Sequence, residues 1–259
     1  EAVLHLAAEA LIDESIRDPG RFYQANVCGG LNLLDAMVSA GIRRIIFSST
    51  AAVYGEPTSV PIPENADCTP VNAYGESKLA FERSLSWYQR AHGLNYVSLR
   101  YFNACGATAR VGECHQPETH LIPRLLDVAL GRQSEAQLYG TDFDTPDGTC
   151  IRDYVHVADI AQAHALALAR IDHVHSATVN IGSASGYSNR EVIEAVQRVT
   201  GRELPVKTMG RRPGDPARLV ASSEQARSEL GWRPRYTDLA SMVRTAWDWR
   251  RQNPQGYAR

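Results

Sequence analysis

The sequence predicts an α/β fold, a doubly wound parallel sheet followed by a smaller C-terminal α/β domain. Three observations predict it. Strand-type runs alternate with helical stretches over the first hundred residues. The links between them are short, as in a sheet built from crossovers. After Cys105 the regular alternation gives way to a loop dense in Asp, Gly and Pro and to a tail with Trp232, Trp247 and Trp249. The predicted division is therefore 1–104 and 105–259, with some later strands crossing back to the first domain.

The elements follow in order. Residues 2–8 (AVLHLAA) read as an internal parallel strand, which is buried only if it has neighbours on both sides. Residues 15–40 carry Phe22, Ala25, Gly29, Gly30, Leu33, Leu34 and Met37 at helical spacing, and Gly41 is the natural stop. Residues 44–49 form a buried strand running into the hydroxyls of Ser48, Ser49 and Thr50. A loop with Pro57, Pro61 and Pro63 leads to Asn72, the expected N-cap of a helix reaching His92 before Gly93. Residues 94–100 are a further strand, ending at Tyr101, Phe102 and Asn103. Beyond it the reading gives a helix at 121–130, a strand at 137–140, a loop at 141–149, a strand at 178–181, a helix at 189–200 and a loop at 211–215.

Composition narrows the function. With 27 basic and 29 acidic residues there is no net field to hold a polyanion, and no basic block either, so nucleic acid is not an expected partner. No apolar run approaches the ~18 residues of a membrane span, and no signal-peptide pattern is present. The five cysteines are odd in number and lack Cys-x-x-Cys spacing, as expected of reduced thiols in a cytoplasmic protein. Cys114, His115 and His120 fit no zinc spacing, so no metal site is expected.

The chemistry concentrates at Tyr74-Gly75-Glu76-Ser77-Lys78. A phenol and an ammonium four residues apart share a helix face. The cation favours the phenolate, and lowering a phenol pKa by roughly three units takes about 4 kcal/mol of differential stabilisation. Tyr-x-x-x-Lys alone is a loose pattern in a chain with 11 tyrosines. Two features raise its significance: Lys78 lies on the apolar stripe of Tyr74, Phe81 and Leu85, where an unpaired charge is costly, and Thr50 ends a strand where open parallel sheets bind ligands.

These residues, with Phe47 to Gly55, Arg100-Tyr101-Phe102-Asn103, Tyr139 to Thr149, Arg152 to Val157 and Arg211 to Asp215, resemble the extended short-chain dehydrogenase/reductases and, within them, the UDP-glucose (UDP-galactose) 4-epimerases. The resemblance covers nearly the whole chain. It implies an NAD(P)-binding Rossmann-like sheet lacking its first βαβ unit, an NAD cofactor, and isomerisation of a UDP-hexose at C4 through a 4-keto sugar in galactose metabolism. It makes Tyr74 the acid/base, Lys78 the holder of the nicotinamide ribose and Thr50 the hydroxyl at the reacting oxygen. It places Leu6, Ala7, Ala8 and Phe102 along the cofactor. Asn103, His120, Leu121, Tyr139, Arg152, Arg212, Asp215 and Leu219 become UDP-sugar contacts; His120 stands where some members have asparagine, and Leu219 where the family controls admission of N-acetylated sugars. A homodimer through the helices at 15–40 and 72–92 is also implied.

Two departures qualify the expectation. No Gly-x-Gly-x-x-Gly occurs anywhere in the chain, and in the family this turn precedes the first strand seen here. The chain therefore reads as an N-terminally truncated fragment that binds NAD weakly or not at all. Ala51-Ala52 follow Thr50 where sugar-nucleotide dehydratases carry Asp-Glu, and two methyl groups cannot move protons, which argues against dehydration. Epimerisation of another UDP-sugar, UDP-N-acetylglucosamine or UDP-glucuronate, stays open, as does an inactive fragment.

Overall fold

The computed structural model describes residues 1–212 and 214–257. In chain order the elements are β1 (Val3–His5), α1 (Ile12–Arg17), α2 (Pro19–Phe22), a π-helical turn (Tyr23–Cys28), α3 (Gly29–Ser39), β2 (Arg44–Thr50), a 3-10 turn (Ala51–Tyr54), α4 (Ala73–His92), β3 (Asn95–Tyr101) and β4 (Asn103–Cys105). There follow α5 (Leu121–Ala129), β5 (Ala136–Tyr139), β6 (Ile151–His156), α6 (Val157–Val174), β7 (Ser176–Ile181), β8 (Gly186–Ser188) and α7 (Asn189–Thr200). The last are β9 (Val206–Met209), β10 (Arg218–Leu219), α8 (Glu224–Leu230) and α9 (Leu239–Gln252). The chain divides into two compact units: Glu1–Phe102 with Ala161–Ile181 and Ala221–Arg233, and Asn103–Ile160 with Gly182–Val220 and Pro234–Arg259.

The first unit is built on an all-parallel sheet of order β1-β2-β3-β7. Register sets Thr50 beside Tyr101 and Tyr101 beside Ile181, so the carboxyl ends of these strands share one edge. Leu34, Met37, Ile45, Phe47, Phe81, Leu85 and Leu94 form a core between helices and sheet. A buried polar network ties the same pieces together: the Arg100 guanidinium on β3 donates to both Glu82 carboxylate oxygens on α4 at 3.0 and 2.7 Å and to the Tyr54 hydroxyl at 2.9 Å. Tyr54 in turn donates to Asn180 on β7 at 2.7 Å. Burial of such a pair is costly unless every group is bonded, and here each is.

The second unit has a sheet of order β10-β6-β4, with β8 antiparallel to β6, and a parallel pair β5-β9. Leu125 and Leu126 of α5, Val192 and Val196 of α7, and Met242, Val243 and Trp247 of α9 fill its core. No helix among the described residues is long and apolar enough to cross a membrane.

Three expectations need correction. The opening strand is only Val3–His5, pairs on one side with β2, and leaves Leu4 43% exposed, so the burial expected of its apolar run is not realised. The helix expected over 15–40 is broken. Pro19 disfavours helical geometry at Asp18, which sits at φ −134° and caps Pro19–Phe22 by accepting from the Arg21 amide at 3.3 Å. The π-helical turn then inserts before α3. Residues 157–174, given no element from the sequence, form the 18-residue α6. This segment is alanine-rich, a strong helix former whose apolar stripe shows little contrast. The Asn72 cap is as expected: its side chain accepts from the Gly75 amide at 2.8 Å, and Gly93 closes α4 at φ 66°.

Candidate functional site

In the first unit, local sequence brings Thr50, Tyr74 and Lys78 together. Strand β2 ends at Thr50, whose hydroxyl accepts the Ala52 amide at 3.1 Å and thereby starts the tight turn Ala51–Tyr54. Helix α4 packs against that turn because residue 75 is glycine. A Cβ there would lie 2.5 Å from the Ala52 carbonyl oxygen and 3.2 Å from the Pro70 Cβ. The close approach sets the half-buried Tyr74 near enough to Thr50 for the threonine hydroxyl to pull the phenol pKa down. Having accepted from Ala52, the threonine hydroxyl still has its single proton to donate.

Lys78 is 3% exposed, one turn further along α4. Its ammonium donates to the Ser48 carbonyl at 2.9 Å and lies 4.8 Å from the centre of the Phe47 ring. Burial lowers its pKa to about 8, with Glu82 opposing. Two of its three protons remain for a ligand. Tyr74 departs from the expectation that a neighbouring lysine depresses its pKa. Burial holds the phenol above its ordinary value, and the group that pulls it down is Thr50. In the protein alone, threonine rather than lysine favours the phenolate.

The remaining cofactor candidates lie at the same carboxyl edge. Leu6, Ala7 and Ala8 are exposed directly after β1, with Leu6 60% accessible, and Phe102 is buried at the end of β3. Asn26, which sequence reasoning passed over, locks this region in place. From within the π-helical turn it accepts the Glu9 amide at 2.8 Å and donates to the Glu9 carbonyl at 3.0 Å and the Ser77 hydroxyl at 2.9 Å. Ser77 donates to the Tyr74 carbonyl at 2.8 Å, so the segment after β1 and the start of α4 are held as one piece. The only sequence signal was an asparagine on an otherwise apolar helix face. A second unforeseen group is Ser48 Oγ 2.9 Å from the Tyr101 hydroxyl, itself 2.6 Å from His164 Nε2, all on or beside the strands that carry the site.

In the second unit Tyr139, Arg152, Arg212, Asp215 and Leu219 converge. The Arg212 guanidinium lies 3.8 Å from the centre of the Tyr139 ring. Arg152 on β6 donates to the carbonyls of Ile151 and Pro216 at 3.0 and 2.8 Å and stands 3.6 Å from the Asp215 carboxylate. Strand register places Leu219 beside Arg152. Two guanidiniums, a ring face and a carboxylate form a set suited to a nucleoside diphosphate. The motif's Asp153 has another task. Fully buried, it accepts from the Ser183 amide and hydroxyl at 2.7 and 2.6 Å and from the Ala184 amide at 3.0 Å, holding a turn where Ala184 has φ 61°. Gly148 closes the Asp-rich loop at φ 78°, where a Cβ would sit 2.2 Å from the Thr141 carbonyl oxygen.

Asn103 and His120 are not brought to that cluster by any described contact. Asn103 is exposed on β4, where strand register sets it beside Tyr154 of β6. Leu121 opens α5, while His120 belongs to a group with Glu113, His115 and Glu118. Hydrogen bonds donated by His120 to the carboxylates of Glu113 and Glu118 raise its pKa to about 10.

Comparison with known proteins points the same way. The profile of the NAD dependent epimerase/dehydratase family matches residues 1–182. The chain is 48% identical over 260 residues to a UDP-glucose 4-epimerase of Lacticaseibacillus casei, covering 99% of this chain and 78% of that protein. The crystal structure of UDP-glucose 4-epimerase from Brucella ovis in complex with NAD is similar at 46% identity and TM-score 0.92, covering 95% of this chain and 77% of that one. The Bifidobacterium longum UDP-glucose 4-epimerase in complex with NAD+ and UDP is similar at 37% identity and TM-score 0.94, covering 98% and 77%.

Proposed function

Because the chain belongs to the NAD dependent epimerase/dehydratase family, and within it to the UDP-glucose 4-epimerases, we propose that it interconverts UDP-glucose and UDP-galactose by NAD-dependent epimerisation at C4. The observation that carries this reading is Tyr74 with Thr50 acting on its phenol, one helical turn from the buried Lys78 ammonium at the carboxyl edge of a parallel sheet.

The residues present fit the nicotinamide half of NAD. Lys78 keeps two unused donors in a dry setting, and Ala7 and Ala8 leave backbone accessible after β1. Lys78 would hold the ribose, with Leu6, Ala7, Ala8 and Phe102 along the cofactor. When bound, NAD supplies reversible removal and return of hydrogen at C4.

This chain's own residues move the proton. Tyr74 takes it from the sugar 4-hydroxyl as the C4–O bond becomes a carbonyl, and gives it back when the alcohol re-forms. Thr50 donates to the phenolate and lowers its energy. The Lys78 cation, still charged at neutral pH, acts in the same direction once cofactor and substrate surround it. Inversion requires a 4-keto sugar that turns while its nucleotide stays fixed. Arg152 and Arg212 would bind the diphosphate by charge-assisted hydrogen bonds, Tyr139 would stack on uracil, and Asp215 would accept from the ribose. Asn103, Leu121 and Leu219 would touch the sugar. Cofactor handling thus falls to 1–104 and UDP-sugar binding to 105–259, with β7 and α8 returning to the first domain.

Two further assignments belong to the same reading. Trp87, 64% exposed on α4, and Tyr23, 41% exposed in the π-helical turn, support a homodimer through the helical segments 15–40 and 72–92. Free cysteines at 28, 68, 105, 114 and 150 fit a reducing, cytoplasmic setting.

The test is interconversion of UDP-galactose and UDP-glucose by the NAD-loaded protein, with UDP-N-acetyl sugars and UDP-uronates alongside. Tyr74→Phe is expected to lower turnover by about two to four orders of magnitude while UDP affinity is retained. Equal turnover in the variant removes Tyr74 from the mechanism, and preference for another UDP-sugar reassigns the substrate.

A further inference from the structure

The segment 113–120 gathers four side chains that the proposed reaction does not require as a group. Glu113, His115, Glu118 and His120 each offer one ligand atom, and these atoms all lie within 4.8 Å of one another. Two imidazoles converge on one carboxylate oxygen: His115 Nδ1 and His120 Nδ1 stand 2.6 and 2.8 Å from Glu113 Oε1. His120 Nδ1 is also 2.9 Å from Glu118 Oε1. The ring centres are 5.1 Å apart.

A second observation distinguishes this group from an ordinary surface ion pair. The Glu118 side chain is only 8% exposed, and its Oε2 is buried without a hydrogen-bond partner among the described residues. A carboxylate oxygen taken out of water and left unbonded is unfavourable, and a cation in the cluster would satisfy it. Both histidines turn Nδ1 toward the carboxylates, His115 to Glu113 and His120 to Glu113 and Glu118, so two ring nitrogens and two carboxylates stand within reach of one ion.

We propose that Glu113, His115, Glu118 and His120 form a binding site for a divalent transition metal, zinc above all. Two imidazoles and two carboxylates suit zinc better than calcium or magnesium, which prefer oxygen alone. Zinc bonds of about 2.0–2.2 Å make tetrahedral ligand edges of about 3.4 Å. The present distances bracket that value, and His115, 53% exposed, is free to adjust. Four protein ligands close the coordination sphere, which makes the site structural rather than catalytic. Bound metal would pin the loop that leads into α5 and fix His120 as a ligand, so the imidazole would not contact the sugar. The linear spacing Glu-x-His-x-x-Glu-x-His matches no common zinc pattern, which is why the sequence did not announce it.

The proposal is independent of the epimerase reading, and its test reads metal rather than turnover. The full chain, freed of metal by chelation and dialysis, is titrated with zinc chloride against a chromophoric chelator, and separately with cobalt chloride. One zinc per chain and the visible bands of four-coordinate cobalt are expected. His115→Ala and Glu118→Gln should weaken zinc binding by more than the about 10–100-fold that loss of an outer-shell partner costs, while His92→Ala, an exposed histidine elsewhere, leaves it unchanged. His115 is exposed enough that its variant stays folded, as circular dichroism would verify. Absence of stoichiometric zinc in the wild-type chain, or wild-type affinity in both ligand variants, overturns the proposal.

Discussion

Replacing Lys78 by methionine isolates what a buried ammonium does to this fold. The side chain is 3% exposed and its pKa is lowered to about 8 by burial, against an ordinary 10.5. Between those values the unfolded chain keeps the proton that the native chain has released. The unfolded state then binds more protons, so stability attributable to Lys78 rises with pH across that window. Below about 8 the group is charged in both states and the penalty is fully present. The span of about 2.5 pH units, at about 1.4 kcal/mol each, amounts to about 3 kcal/mol. Lys78→Met removes this titration. It also leaves the Ser48 carbonyl without its donor, a cost that does not change with pH. Buried phenols and thiols that titrate in the alkaline range, such as Tyr54 with its pKa pushed up to about 12, are common to both proteins and cancel in the difference. The assay is urea unfolding of wild type and variant at pH 7 and at pH 10.5. The stability difference, variant minus wild type, should shift against the variant by about 3 kcal/mol between the two. A difference that stays constant would mean that Lys78 is hydrated in the native state and does not hold its charge at the expense of stability.

Two further outcomes follow from the same corner of the molecule. Thr50→Val removes the hydroxyl proposed to donate to the phenolate, a charged hydrogen bond of about 1.5–3 kcal/mol, so turnover should fall about 10- to 100-fold and the ascending limb of the pH–rate profile, which reports the base, should move to higher pH; Thr50→Ser should restore most of both. A serine variant as slow as valine would refute the hydroxyl's role. Gly75→Ala forces a methyl to within 2.5 Å of the Ala52 carbonyl oxygen, which should cost about 1–3 kcal/mol in unfolding and separate Tyr74 from Thr50, with a turnover loss like that of Thr50→Val. Gly20→Ala, whose nearest neighbour would be 3.8 Å away, is the control and should leave turnover unchanged.

The first-unit part of the site was legible because its signals are local. A β-run ending in hydroxyls, an Asn cap and a Tyr-x-x-x-Lys stripe each lie within one element, where period and capping chemistry hold without knowledge of the rest. Gly75 was visible as a letter, but its reason was not, since the carbonyl it must clear belongs to a turn more than twenty residues earlier. Asn26 was overlooked for a related cause. Its partners, Glu9 and Ser77, are distant in sequence, and a helix face offers no hint of what a polar member will meet. The single helix expected over 15–40 failed at Pro19, a signal that was present and was outweighed by apolar spacing.

Segment 113–120 marks the limit most clearly. It has no periodicity, and only folding brings its two histidines to one carboxylate. From the chain alone came the strand–helix alternation of the first hundred residues, the parallel sheet and the expectation that Thr50, Tyr74 and Lys78 act together, because backbone geometry and helical spacing act over a few residues. Tertiary structure decided which polar groups meet and how dry each one is. It made burial, rather than the neighbouring lysine, the main influence on Tyr74, and made Thr50 the group that opposes it. Desolvation and hydrogen bonding depend on distances of a few ångströms between segments far apart in sequence, and those distances exist only once the chain has folded.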